Sequence, residues 1–487
     1  MTAARRSLAA LALGGGLGVA ADLSRVWLPE RLGTAVWLGL FLAALLVLLA
    51  DDEEGVSLPL AAAAVGIGAL VWRDSPALHA LNLAVIGGCI VAGSRIGASL
   101  AQGAGGVVAW ALAALEAVAH AALGAAAAVS EAAWSRLPAG RGLREASGIA
   151  MGLVFAAPVL AIFSALFAEA DPLFESGLER AFTFDFGLDA VVPHAVVAGA
   201  VGWLSAGLLR GASMERRLRA VPAVPFAGSI RFATVGTALG GIAALFLIFV
   251  LLQTRYLFEG ASVLAEPGGF SYADYARRGF FELVGVTALT LPVLLVADWA
   301  LDQRSETVRA RFRGLALLLL GLLGVIVLSA LSRMALYAGM YGLTEPRVYV
   351  TAFMLLLCAV FACFTLTVLR GNRPAFMRGS LVATACAVGG LNLLAPDALI
   401  ARVNLERGSS RVPVDVSYLA SLSADAVPGL LERAGRLEHG SRCELMAELQ
   451  DRWLDDGEGT WNLSRLRARR ALEAYRLGTG RECAIEL

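Results

Sequence analysis

The chain has 487 residues, of which 58% are hydrophobic and only 16% charged, with 40 basic and 40 acidic residues in balance. Soluble domains carry roughly a quarter charged residues, so the composition excludes an ordinary soluble chain, and zero net charge with no basic stripe excludes a nucleic-acid partner. All 40 basic residues are arginine, which removes Schiff-base lysine, phosphate-loop lysine and Ser/Lys chemistry.

Taken in chain order, apolar stretches at about 8–22, 33–50, 57–72, 77–93, 148–168, 188–209, 232–252, 279–299, 314–337, 347–369 and 379–395 predict eleven membrane spans. The first, third, fourth and last fall short of the roughly 20 apolar residues that cross the hydrocarbon, so the range is nine to twelve. Arg5 and Arg6 before the Leu8–Ala21 run resemble a signal peptide, but Ala20-Ala21-Asp22 is a poor cleavage site and an uncleaved first span is expected. Val107–Trp134 is almost all alanine but carries Glu116, His120 and Glu131, which reads as an interfacial or bundle-packed helix. The fold class is therefore all-α, a polytopic transmembrane helical bundle with a small C-terminal helical domain outside the membrane. Three regions are expected: 1–147 with about four spans and the Ala-rich helix, 148–395 with about seven core spans, and 396–487 as the extramembrane domain. Small residues four apart, as at Gly14/Gly18 and Gly236/Gly240, read as close packing within one bundle rather than dimerisation.

Arginine-rich short loops remain cytoplasmic. The N-terminal pair, the loop with Arg95, Arg136, Arg141 and Arg144, the loop with Arg210, Arg216, Arg217, Arg219 and Arg231, the loop with Arg304, Arg309, Arg311 and Arg313, and that with Arg370, Arg373 and Arg378 fall on one face. The intervening loops carry acids instead, as at Glu169, Asp171, Glu175, Glu259, Glu266 and Asp274. The acidic run Asp51–Glu54 dissents, yet acids weigh little in this rule. This predicts an N-terminus on the cytoplasmic side of the membrane and a C-terminal domain on the outer side.

The polar tail has helical periodicity. Ser423–Pro428 leads a helix into Gly429–Arg433, and Trp461–Tyr475 is an Arg-rich amphipathic helix. A domain of about 90 residues buries only a modest core, so a Cys443–Cys483 disulfide is expected in an oxidising exterior. Cys89, Cys358, Cys363 and Cys386 lie in apolar segments as packing residues.

The richest polar stretch is Phe270–Leu283. Ser271 and Asp274 form a capping-box-like start, and Asp274, Arg278 and Glu282 repeat every four residues on one face, entering the membrane among Tyr272, Tyr275, Phe280 and Phe281. Glu282 at that depth needs a partner, and Arg333 in the ninth span offers one. The expectation is a binding site on the outer side of spans eight and nine, comprising Asp274, Arg278, Glu282, Arg333, Tyr341 and Glu345, with a static inter-helix clasp as the alternative. Asp189, His194 and Asp298 fall where helix ends meet headgroups, and a single outer-loop acid such as Asp22 or Glu30 is a weak sign of glycosyl transfer. His79, His120, His194 and His439 show no metal-ligand spacing, and no phosphate loop, dinucleotide fingerprint or nucleophile elbow is present, so no metal or cofactor is expected.

Tyr272-Ala-Asp-Tyr-Ala-Arg-Arg-Gly-Phe-Phe-Glu-Leu283 resembles the hallmark of bacterial multi-spanning proteins grouped as domain of unknown function 4173, related to the 4153 group. Ala170-Asp171-Pro172 with Phe174, Tyr341–Glu345, Pro396–Arg402 with Asn404, and Tyr418–Asp425 are similar to that pattern, over roughly residue 150 to the C-terminus. The resemblance implies an integral membrane protein and no established activity. The functional expectation is a transport or envelope-associated protein, its partners the lipid bilayer and a protein bound by the C-terminal domain. Alternatives are a sensor working through that domain and an enzyme acting on a lipid-linked substrate at the outer face; no catalytic residue is assigned.

Overall fold

The computed structural model of the chain describes residues 3–24, 31–50, 58–94, 107–131, 188–214, 231–263, 280–301, 305–407, 414–455 and 461–479. Among them the regular elements are helical throughout: α1 (Ala3–Leu23), α2 (Arg31–Leu49), α3 (Leu58–Trp72), α4 (Pro76–Gly93), α5 (Val107–Glu131), α6 (Leu188–Ser213), α7 (Phe232–Val263), α8 (Phe280–Ala300), α9 (Glu306–Tyr341), α10 (Glu345–Thr367) and α11 (Arg373–Leu394). A shorter set follows: α12 (Pro396–Glu406), α13 (Val416–Ser421), α14 (Val427–Arg433), α15 (His439–Gln450) and α16 (Leu463–Thr479). Ten of the described helices are long and apolar enough to cross a bilayer, and α3 is a shorter apolar helix. The expected span at 148–168 lies outside the described residues, whereas α5, expected as an interfacial or bundle-packed helix, meets the length and composition of a span.

The outer surfaces of these helices are apolar. Leu245, Ile248, Leu251 and Leu252 on α7 and Leu318, Leu328 and Leu336 on α9 are all exposed. Apolar side chains in that number on successive helices are stable only against lipid, so the chain is a multi-pass integral membrane protein. Helix α9, with 36 residues, is roughly 54 Å long at 1.5 Å per residue and therefore overruns the hydrocarbon. Its apolar middle lies between Arg309, Arg311 and Arg313 at one end and Tyr337 and Tyr341 at the other.

Two clusters form the interior of the bundle. One unites α7, α8, α9 and α10 through Phe246, Leu294, Phe312, Leu323, Met354 and Phe364, and Phe376 of α11 meets Phe364 edge-on at 6.1 Å. The other unites α1 to α6 through Ala10, Leu45, Leu70, Ile86, Ala113 and Leu209. Helices α1 and α6 cross at small residues. A Cβ on Gly14 would lie 2.4 Å from the Cβ of Ala206, and one on Gly18 would lie 2.0 Å from the carbonyl oxygen of Ala198. The Gly14/Gly18 pair thus serves contact within the bundle; Gly240 has open space around it. Gly18→Val should cost about 1–3 kcal/mol by overpacking, read by unfolding in detergent, while Gly15→Val, with nothing within 4 Å, should be close to neutral.

Polar side chains tie the helix ends. Glu131 of α5 accepts from Ser7 of α1 at 3.0 Å and pairs with Arg210 of α6, while Arg6 donates to the carbonyl of Ser213. On α8, Asp298 pairs with Arg373 at 2.7 Å, and Arg313 donates to the carbonyl of Leu369. His194 lies 2.6 Å from Asp22 where α6 begins and α1 ends.

A third cluster holds α12 to α16 together around Ile400, Leu419, Leu430, Leu445, Leu449, Trp453 and Leu472, and Val348 of α10 belongs to it. Asp415 caps α13 by accepting from the amide of Tyr418 at 2.9 Å, and α14 begins at Val427 with Pro428 in its first turn. Helix α16 buries Ser464, Ala468 and Leu472 and exposes Arg467, Arg470 and Arg476. Ala395, at φ 49°, turns the chain sharply from α11 into α12. Cys443 is disulfide-bonded and Cys89, Cys358, Cys363 and Cys386 are free; Cys483 lies outside the described residues.

Candidate functional site

The site expected on spans eight and nine is placed only in part. Asp274 and Arg278 lie outside the described residues. Glu282 is exposed at the start of α8 and Arg333 is half-buried on α9. Tyr341 and Glu345 sit elsewhere, at the turn between α9 and α10. Tyr341 packs on Tyr337 with ring centroids 5.0 Å apart, Arg347 lies over the Tyr337 ring at 4.2 Å, and the backbone amide of Glu345 donates to the Tyr418 hydroxyl at 2.9 Å. This turn is therefore docked on the C-terminal helices.

An extended buried polar network lies at that same junction, where the short link Arg73-Asp74-Ser75 between α3 and α4 meets the segment Ser423–Ala426 before α14. Asp425 accepts from the guanidinium of Arg73 at 3.2 Å, from the amide of Asp74 at 2.8 Å and from the hydroxyl of Ser464 at 2.5 Å. Asp74 in turn accepts from Arg465 of α16 at 2.7 Å and from the amide of Ala424 at 3.2 Å. The two pairs are crossed: each aspartate takes an arginine and also a backbone amide from the opposite segment. Both carboxylates have only 2% of their side-chain surface exposed. An isolated charge at that depth is too costly to keep, so satisfaction of every lone pair is what makes the ions tolerable.

The network continues into the bundle and across it. Arg73 donates to the carbonyl of Asn392 at 2.7 Å, and Asn392 exchanges side-chain hydrogen bonds with Asn82 at 3.1 and 2.8 Å, joining α11 to α4 in an apolar interior. Asn462 donates to the carbonyl of Arg73 at 2.7 Å, and Ser75 pairs with the hydroxyl of Tyr349 at 3.1 Å. Asn404 of α12 clamps the α9–α10 turn, accepting from the amide of Leu343 at 2.8 Å and donating to its carbonyl at 2.9 Å.

Asp397, in the first turn of α12, is the remaining buried acid of the junction, with 1% exposure. One of its oxygens accepts from both the hydroxyl and the amide of Ser423; the other has no hydrogen-bond partner. Burial pushes its carboxyl up to about 6, with the nearby charges of Glu345 and Asp425 adding to the rise against the donors of Ser423. Burial likewise raises the Tyr418 phenol, which keeps it neutral as the acceptor for the Glu345 amide. Among the described residues no group of three or more His, Cys, Asp or Glu side chains is arranged to hold a metal ion.

Residues 60–433 match the family described as Domain of unknown function (DUF4153). The chain belongs to this family. The match runs from α3 through α14 and so contains Arg73, Asp74, Asn392, Asp397 and Asp425, while Asn462, Ser464 and Arg465 lie beyond it. No curated protein and no solved structure matches the chain. Three of the stretches behind the resemblance, Tyr341–Glu345, Pro396–Asn404 and Tyr418–Asp425, converge on the junction through Asn404, Tyr418 and Asp425.

Arg73, Asp74, Asn392 and Arg465 escaped the sequence reading, although signals for them existed. Asn82 and Asn392 are amides inside apolar helices, and Arg73-Asp74 is a charged pair between two apolar runs. Each is unremarkable alone, since a charge beside a span normally reads as a solvated loop.

Proposed function

We propose that the protein is a transport or envelope-associated protein of the bacterial cytoplasmic membrane in which the C-terminal helices form a fixed cap on the outer end of the bundle. The observation carrying this reading is the crossed pair Arg73–Asp425 and Arg465–Asp74. Two buried ion pairs sharing backbone donors hold a geometry that a loosely tethered tail would not keep. The side is supported by the arginines: Arg309, Arg313 and Arg373 sit at the end of α9, α10 and α11 away from the cap, and arginine-rich ends remain cytoplasmic. A Cys443–Cys483 bond in the cap agrees with an oxidising exterior. The exposed arginines of α16 supply a surface for a protein partner. Placement in the 4173 group rests on the Tyr272–Leu283 motif.

Alkaline phosphatase fused after Leu487 should be active and a fluorescent protein fused there dark. The reverse pattern would put the cap in the cytoplasm and overturn the orientation.

A further inference from the structure

We infer that Asp397 is a proton-binding site and that its protonation holds the cap on the bundle. The inference is independent of the side of the membrane on which the cap lies. It stands on the distribution of cations around a buried carboxylate. Arg73 is committed to Asp425 and Arg465 to Asp74. On α14, Arg433 pairs with Glu406 and Glu432. Just after α12, Arg407 donates to the carbonyls of Ala338 and Met340, and Arg402 of α12 is exposed. From α10, Arg347 donates to the carbonyl of Gly342 and covers Tyr337. Among the described residues no ion pair reaches Asp397, and its Oδ1 has no hydrogen-bond partner. The other groups facing it are Glu345 and Tyr349 on α10, Tyr418 on α13 and Asp425 before α14, all acidic or neutral.

An ionised Asp397 would thus bury a charge with one oxygen unsatisfied beside two other carboxylates. A proton on that oxygen removes the charge and leaves the other oxygen to the donors of Ser423. The start of α12 and the Ser423 donors favour the anion, but burial and like charge outweigh them, moving the group from 3.8 to about 6. When the cap lifts, Asp397 meets water and returns toward its ordinary value. Seating therefore takes up a proton. Acid favours the seated state, and the advantage fades as pH rises through about 6. Between pH 8 and pH 5 the seating equilibrium should tighten about tenfold, as the two proton affinities require.

The test uses the full chain in lipid nanodiscs. Infrared spectroscopy should show a protonated carboxyl C=O band that disappears with a midpoint near 6 and is missing in Asp397→Asn. Amide-exchange protection of residues 416–433, corrected for intrinsic exchange, should rise about tenfold from pH 8 to pH 5 in the wild type and stay flat in Asp397→Asn. Should that variant fail to fold, Glu345→Gln decides, because removing a neighbouring negative charge must lower the midpoint. Protection that is flat with pH in the wild type, no titrating band, or a midpoint unmoved by Glu345→Gln would each overturn the inference.

Discussion

Asp425→Ala should loosen the cap by about 3–5 kcal/mol, the usual loss when one member of a buried ion pair is removed. The reason lies less in the lost attraction than in what remains. Arg73, with 11% of its side chain exposed, would keep its charge without the carboxylate that balances it, and the Asp74 amide would lose its acceptor, while the Ser464 hydroxyl could still turn to the carbonyl of Trp72. Replacing both ends, as in Arg73→Met with Asp425→Leu, removes the stranded charge and should recover much of the loss, since apolar substitutes for buried pairs are often neutral. Guanidine titration read by exchange protection of 416–433 would measure both. If the double variant is as unstable as the single ones added together, the pair is uncoupled and does not latch the cap.

Gly342→Ala should cost about 3 kcal/mol, from backbone strain and a clash acting together. Gly342 has φ 81° and ψ 177°, a region glycine alone adopts readily. An added Cβ would lie 2.5 Å from Oδ1 of Asn404, the oxygen that receives the Leu343 amide. The turn could open only by releasing the Asn404 clamp and, one residue further on, the Tyr418–Glu345 contact. Gly371 provides the comparison: φ is 84° there, but no atom lies within 4 Å, so Gly371→Ala should cost only the left-handed strain of about 1–2 kcal/mol. Thermal unfolding of both variants in detergent checks the difference. Equal losses would mean that Asn404 yields without cost. Adding Asn404→Ala to Gly342→Ala relieves the clash but not the strain, so it should not restore stability.

The spans were legible because lipid demands one unambiguous pattern, a long apolar helix with its backbone satisfied internally. The limits of α8 and α10 therefore fall within two residues of the expected ones, whereas α7 runs on to Val263 and α11 begins already at Arg373. The ends were less legible. Helix α9 continues past its apolar core at both ends because Glu306–Phe312 and Tyr337–Tyr341 keep the helix without contributing to hydropathy. Membership of a related family was legible in short motifs, although the matched group is the 4153 one.

The site was legible only in fragments. Asp274, Arg278 and Glu282 repeat at four-residue spacing, but periodicity reports which residues share a face of one helix and not how two helices are rotated against each other. Tyr341 was assigned to that centre because it follows Arg333 on the same face at four-residue steps; the structure adds that the turn at Gly342, with Glu345 just beyond it, meets the C-terminal helices. The partners at that junction are more than 300 residues apart, as with Arg73 and Asp425 or Asn82 and Asn392.

By itself, then, the sequence determined that this protein is helical, crosses a membrane many times and ends in an amphipathic helical unit, because those properties follow from composition and local period. Only the tertiary structure decided that the unit is tied to the bundle by crossed ion pairs and that Asp397 is buried with one oxygen unsatisfied. A charge pair, and equally the lack of one, depends on distances between segments that no local pattern records.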